Sequence, residues 1–164
     1  MRNIIQFVPA LFLCLQLSYC LDFQSNKTVI NEIPSVLSHE GEVSHYEVVY
    51  IRKTYFGAMV YCESIGGRLA RIPDEERDIA LVSWIYHADD EPAGRYWIDV
   101  NDIKEEGVWC RSDGVKQMYK GSWARMEPNN QNNEDCVELS EMADYKWNDR
   151  SCYFPNYFIC EFTL

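Results

Sequence analysis

Glu127-Pro128-Asn129-Asn130-Gln131-Asn132-Asn133-Glu134-Asp135 is the densest run of oxygen-bearing side chains in the sequence, and Trp147-Asn148-Asp149 adds another amide and carboxylate a short way downstream. Calcium takes about six to eight oxygens, from carboxylates, amide carbonyls and backbone, at roughly 2.3 to 2.6 Å. The run supplies such atoms and almost no nitrogen or sulfur ligands. Solvated loops are made of the same residues, so composition alone leaves an ordinary polar loop as the alternative. A long irregular segment inside a small domain is either functional or disordered.

The flanking sequence is that of an α+β domain. Between Thr54 and Ile65 the pattern is helical: Thr54 can cap, Tyr55, Met59 and Cys62 share a face, and Gly66-Gly67 ends the run. A second helix is predicted from Asp74 to about Tyr86, with Asp74, Glu75 and Glu76 where the helix dipole favours negative charge. Beyond it, short aromatic and β-branched runs alternate with turns: Tyr96-Trp97-Ile98, Val108-Trp109, Val137-Glu138-Leu139 and Tyr157-Phe158-Ile159. Two helices followed by antiparallel strands, with the oxygen-rich loop between strands, is the predicted architecture.

With 164 residues, 47% of them hydrophobic and 14% aromatic, the chain holds one domain with a core of its own. Residues 1–20 are read as a secretory signal peptide. Arg2 leads an apolar run from Ile4 to Leu17, and Ser18 and Cys20 are small residues at the cleavage site. The run is shorter than the roughly 18 to 20 residues of a membrane anchor and contains Pro9. Tyr19 disfavours a lipid-attachment motif at Cys20. Residues 21–44 are polar, contain Pro34 and show no sustained periodicity, so they are read as a leader or linker ahead of a domain over 45–164. Asn26-Lys27-Thr28 is an N-glycosylation sequon. No collagen or coiled-coil repeat is present in this leader. A secreted, extracellular protein is expected.

Without the signal peptide, Cys62, Cys110, Cys136, Cys152 and Cys160 remain. In an oxidising compartment they form two bridges and leave one thiol, with the pairing open at this point. The formal charge of −11 argues against a nucleic-acid partner, since phosphate would be repelled. His39, His45 and His87 belong to no nucleophile or metalloprotease motif. The clustered carboxylates fit metal ligation better than an acid/base pair, so an enzyme is not expected.

The order Glu127-Pro128-Asn129, Glu134-Asp135-Cys136, Trp147-Asn148-Asp149 and Cys152 resembles the calcium and sugar site of the C-type lectins. The resemblance runs from about Tyr46 to Phe162. Trp97-Ile98-Asp99-Val100-Asn101-Asp102 is similar to the family's core strand, Ser112-Asp113-Gly114 to its turn, and Ile159-Cys160-Glu161 to its final strand. It implies the C-type lectin fold, with Ca²⁺ held by Glu127, Asn129, Glu134, Asn148 and Asp149 and with Pro128 in the cis form. Two vicinal sugar hydroxyls would bind the ion, donating to carboxylates and accepting from amide NH₂ groups. Glu accepts only and Asn also donates, so their order selects the hydroxyl geometry. In the family Glu-Pro-Asn accompanies equatorial hydroxyls, as in mannose, N-acetylglucosamine and fucose.

The resemblance also implies an auxiliary calcium at Asp102, Glu106, Asn130 and Asp135, for which an acidic turn is the alternative. It pairs Cys62 with Cys160 and Cys136 with Cys152. Cys110 departs from the family pattern, as a buried thiol or a link to a second copy. Gln131 stands where it could touch a sugar ring, whereas Trp97, Trp109 and Trp123 are read as core residues. The expected function is calcium-dependent binding of mannose-type microbial or cell-surface glycans. The competing expectation is a module of the same fold that recognises protein, with calcium only ordering the loop.

Overall fold

The structure is a computed structural model and describes residues 32–37, 43–88 and 94–163. The expected signal peptide at 1–20 and the sequon at Asn26 lie outside these residues. Strands β1 (Glu32–Leu37) and β2 (Val43–Lys53) precede helix α1 (Tyr55–Ser64), the short strand β3 (Arg68–Leu69) and helix α2 (Glu75–Ala88). Strands β4 (Arg95–Asn101), β5 (Cys136–Ser140), β6 (Lys146–Arg150) and β7 (Asn156–Thr163) complete one sheet, in the order β1-β2-β7-β4-β5-β6 with β3 on β7.

Local chemistry sets the helix boundaries. Thr54 Oγ1 accepts from Gly57 N at 3.2 Å and caps α1. The chain leaves that helix through Gly66 at φ +86°, a conformation open to glycine at little cost. At α2, Asp74 Oδ1 accepts from Arg77 N at 2.8 Å, and Glu75, Glu76 and Asp78 occupy the first turn. Tyr55, Ala58 and Cys62 form the buried face of α1. The predicted face had Met59, which is only half-buried, in place of Ala58.

The helices cover opposite faces of the sheet. Alternation along β4 sends Tyr96, Ile98 and Val100 to a core shared with Leu81 and Ile85 of α2, and Trp97 to a core shared with Tyr55, Ala58 and Cys62 of α1. Two disulfides, Cys62–Cys160 and Cys136–Cys152, lie in the second core. Glu161, buried on β7, accepts from Ser44 Oγ, Arg68 and Arg71 N, which fixes three segments to one carboxylate.

Two features depart from the predicted architecture. The sheet is mixed rather than wholly antiparallel, because β4 and β7 run parallel with Tyr96 opposite Tyr157 and Trp97 opposite Phe158. These strands are joined by a long connection, which permits the parallel pairing. In addition, β1 falls within the stretch read as a leader and pairs antiparallel with β2. It is an edge strand, where Pro34 is tolerated, and its register shifts between Ile33 and Val36.

Asp99, in the Trp97–Asp102 run, is fully buried on β4. Its carboxylate accepts from Arg71 Nε at 3.0 Å and from Ser112 N at 2.7 Å, tying the turn after β4 to the core. Cys110 is unpaired and half-buried within the chain, and its backbone bridges Asn101 and Lys116.

Candidate functional site

Between β4 and β5 the described chain forms no further strand or helix. It is held at its centre by tryptophans: Trp123 contacts Trp109 at 4.9 Å and Trp147 at 5.7 Å between ring centroids. Backbone bonds from Trp147 N to Ser122 O and from Ala124 N to Trp147 O attach the loop to β6. Asp78 of α2 accepts from Trp147 Nε1 at 3.1 Å and from the Tyr119 hydroxyl at 2.9 Å. Trp97 is fully buried, while Trp109 and Trp123 are half-buried against the α2-side core. This scaffold leads directly into the Glu127 segment.

The Glu127–Pro128 peptide is cis. Met126, Asn130, Asn132 and Asn133 have φ between 48° and 72°, and asparagine is the residue after glycine that best tolerates this left-handed region. Part of the asparagine content of the loop is therefore explained by its backbone. The side chains also fold the loop onto itself: Asn129 Oδ1 accepts from Gln131 N and Asn130 Oδ1 from Glu134 N, both at 2.7 Å. Gln131 itself is exposed.

Asp149, buried on β6, joins the two halves of the site. Its Oδ1 accepts from Asn129 N at 3.2 Å and its Oδ2 from Asn130 N at 2.6 Å. Glu127 Oε2 is buried with no hydrogen-bond partner. Burial pushes the Glu127 carboxyl up to about 7, helped by the hydrogen bond and charge of Asp149 and by the charge of Glu134. Glu134 is raised by burial and by Asp149, with Arg150 opposing at 3.7 Å. A site in which the Asp149 charge raises both Glu127 and Glu134 is one whose charged state calls for a cation.

Asn148 Nδ2 donates to Asp149 O at 2.6 Å and to Glu138 Oε1 at 3.2 Å. Those bonds leave the amide Oδ1 as the atom for a cation. Sequence reasoning gave Glu138 no role beyond its strand. It is fully buried, and it accepts from Asn156 Nδ2 at 2.6 Å and faces Arg95 at 3.5 Å. A charged residue in the otherwise apolar strand Val137-Glu138-Leu139 was the signal available.

Of the expected auxiliary ligands, Asp102 and Glu106 lie on the turn after β4, and Asn130 and Asp135 on the oxygen-rich loop that contacts it. Asp102 is buried, its Oδ2 accepting from Gly107 N at 2.8 Å and its Oδ1 having no partner. Burial pushes its carboxyl up to about 6, against the Gly107 bond, with the charges of Glu106 and Asp135 adding to the rise. Asn130 Nδ2 donates to Glu106 Oε2 at 2.5 Å, Asp102 N donates to Asp135 O at 3.0 Å, and Asn133 Nδ2 donates to Asp135 Oδ2 at 2.7 Å. Among the described residues, no group of three or more His, Cys, Asp or Glu is set closely enough to hold a metal. A cation at either place would draw on asparagine amide oxygens as well as carboxylates.

The family model described as "Lectin C-type domain" matches residues 51–162. Collectin-11 of Bos taurus is 34% identical over 137 residues, which cover 83% of this chain and 49% of that protein. A C-type lectin of Cerberus rynchops is 37% identical over 117 residues, 69% of this chain and 73% of that one. The solved mouse scavenger receptor C-type lectin carbohydrate-recognition domain matches with a TM-score of 0.63 and 28% identity, over 73% of this chain and 88% of that one. This chain belongs to the C-type lectin domain family. It spans about half the length of the collectin it matches. The family model and these relatives are of lectins, not of enzymes. Among the described residues, no helix is long and apolar enough to cross a membrane.

Proposed function

We propose that this protein is a secreted lectin that binds carbohydrate through Ca²⁺, with a mannose-type preference covering mannose, fucose and N-acetylglucosamine. The observation that carries the reading is the bridge from Asp149 to the backbone of Asn129 and Asn130, which sets Glu127-Pro128-Asn129 beside Asn148-Asp149. The unpartnered Glu127 Oε2 and the raised Glu127 and Glu134 carboxyls fit an ion at this point. Glu127, Asn129, Glu134, Asn148 and Asp149 would hold it, and Asp102, Glu106, Asn130 and Asp135 a second one. Bound calcium supplies an electrophile to which two adjacent sugar hydroxyls bind in place of water.

The protein's own residues then choose the sugar. Glu127 can only accept a hydrogen bond, whereas Asn129 also carries an NH₂ donor, and its Oδ1 has a second lone pair beside the one that accepts from Gln131 N. Equatorial vicinal hydroxyls satisfy that order. Relatives named as lectins fit an extracellular role, which we read as recognition of microbial or cell-surface glycans, as in innate immunity. A single open site of this kind has an expected Kd of about 1 mM, so useful avidity needs several copies. Cys110 is the candidate for a covalent link between copies, and non-reducing electrophoresis of wild type against Cys110→Ser tests it.

Retention on a mannose column in calcium and release by EDTA is the expected result. Retention in excess EDTA overturns the reading. Loss of calcium-dependent binding across a glycan array, with calcium still stabilising the fold, would favour the protein-recognition alternative.

A further inference from the structure

The sugar reading leaves unused an adjoining cavity of about 470 Å³, lined by Glu127 and Asn148 and also by Arg95, Arg125, Lys146 and Arg150. Four cations around one opening stand out in a chain with 15 Lys and Arg against 26 Asp and Glu. Two of them are committed in part. Arg95 faces Glu138 at 3.5 Å, and Arg150 faces Glu134 at 3.7 Å and stacks on Phe154 at 4.2 Å. Arg125 and Lys146 are exposed and form no ion pair among the described residues.

The lining also carries three carboxylates. Glu138 is taken up by Arg95, Asn148 and Asn156, and Glu127 belongs to the calcium set. Asp144 is the remaining one. The volume suits one sugar ring and its substituent.

We infer that this cavity is a subsite for an oxyanion carried by the glycan, a sulfate or phosphate ester on the sugar held at Glu127 and Asn148 or on its neighbour. The inference rests on the proposed sugar site. Arg125 and Lys146 meet the oxyanion, and Arg95 and Arg150 supply a fixed positive wall behind it. Charge-assisted hydrogen bonds at an open site then raise affinity by about tenfold over the neutral sugar. The gain falls with salt because the contacts are solvent-exposed.

Calorimetric titration in saturating calcium compares mannose with mannose 6-sulfate and mannose 6-phosphate. The expected result is about tenfold tighter binding of the esters, an advantage removed by inorganic sulfate, by high salt and by Arg125→Glu with Lys146→Glu. Both substituted side chains are exposed, and the milder Arg125→Gln with Lys146→Gln shrinks the same ratio. Equal binding of mannose and its esters overturns the subsite and leaves the sugar site standing. An ester advantage unaltered by these substitutions also overturns it. Binding of none of the three sugars overturns both.

Discussion

Glu138 and Asn148 face each other across the β5–β6 ladder, and the buried carboxylate accepts from the Asn148 amide at 3.2 Å. Burial pushes the Glu138 carboxyl up, while the Asn156 bond and the charges of Arg95 and Arg150 oppose that rise. Glu138→Ala would leave donors of Arg95, Asn148 and Asn156 without their acceptor. A loss of about 2 to 4 kcal/mol is expected, together with weaker sugar binding. Urea denaturation reads the first effect, and a loss below about 0.5 kcal/mol would show that Glu138 supports nothing beneath the site.

The raised carboxyls set a pH dependence with opposite signs in the absence and presence of calcium. A carboxyl whose folded pKa lies above its unfolded value holds its proton more tightly when folded. Glu127, at about 7 against an ordinary 4.5, therefore makes the metal-free protein less stable as pH rises through that window. Calcium binds the deprotonated carboxylates, so its stabilising effect grows over the same interval. The thermal shift produced by calcium should be small at about pH 5 and large at about pH 7.5. A shift independent of pH would exclude Glu127 as a ligand.

Exchanging donor and acceptor should exchange the sugar. Glu127→Gln with Asn129→Asp preserves side-chain size while moving the NH₂ donor to the other side of Pro128. The preference is expected to move from mannose toward galactose by about tenfold or more. Competition with the two free sugars on one column checks it, and an unaltered mannose preference would remove these residues from the specificity determinants.

The segment just ahead of Glu127 is intolerant at Gly121. This residue has φ +77°, and a Cβ there would lie 2.4 Å from Trp147 Cε3. Gly121→Ala is expected to cost about 2 to 4 kcal/mol, from crowding and from the left-handed backbone. Thermal melting of the variant decides the matter, since an unchanged Tm would mean that the Trp123–Trp147 contact can shift freely.

The two helices were legible because their start signals are local: Thr54 and Asp74 cap from the residue before each helix. The disulfide pairing and the cis peptide came through family resemblance rather than spacing. Strand β1 was not legible, since a short run interrupted by Pro34 pairs as a strand where β2 offers it an edge. The parallel pairing of β4 with β7 depends on residues some sixty positions apart, Tyr96 and Tyr157, and has no local signature. At the site, the ligand candidates were visible as a motif. The support from Glu138 and the ring of Arg95, Arg125, Lys146 and Arg150 was not, because strand pairing and loop folding bring those residues together.

The strand order has a mechanical meaning. β6, which carries Asn148 and Asp149, and β1 are at opposite edges of the sheet. Tension between a captured glycan and anything tethered ahead of β1 therefore crosses five strand pairings in series. The load is borne as lateral peeling, with the ladders opening in turn, and β7 lies in the middle of that path. Cys62–Cys160 fastens β7 to α1 outside the ladders. The β4–β7 pairing beside it is short, Tyr96 opposite Tyr157 and Trp97 opposite Phe158, so the disulfide braces a strand next to the briefest ladder on that path.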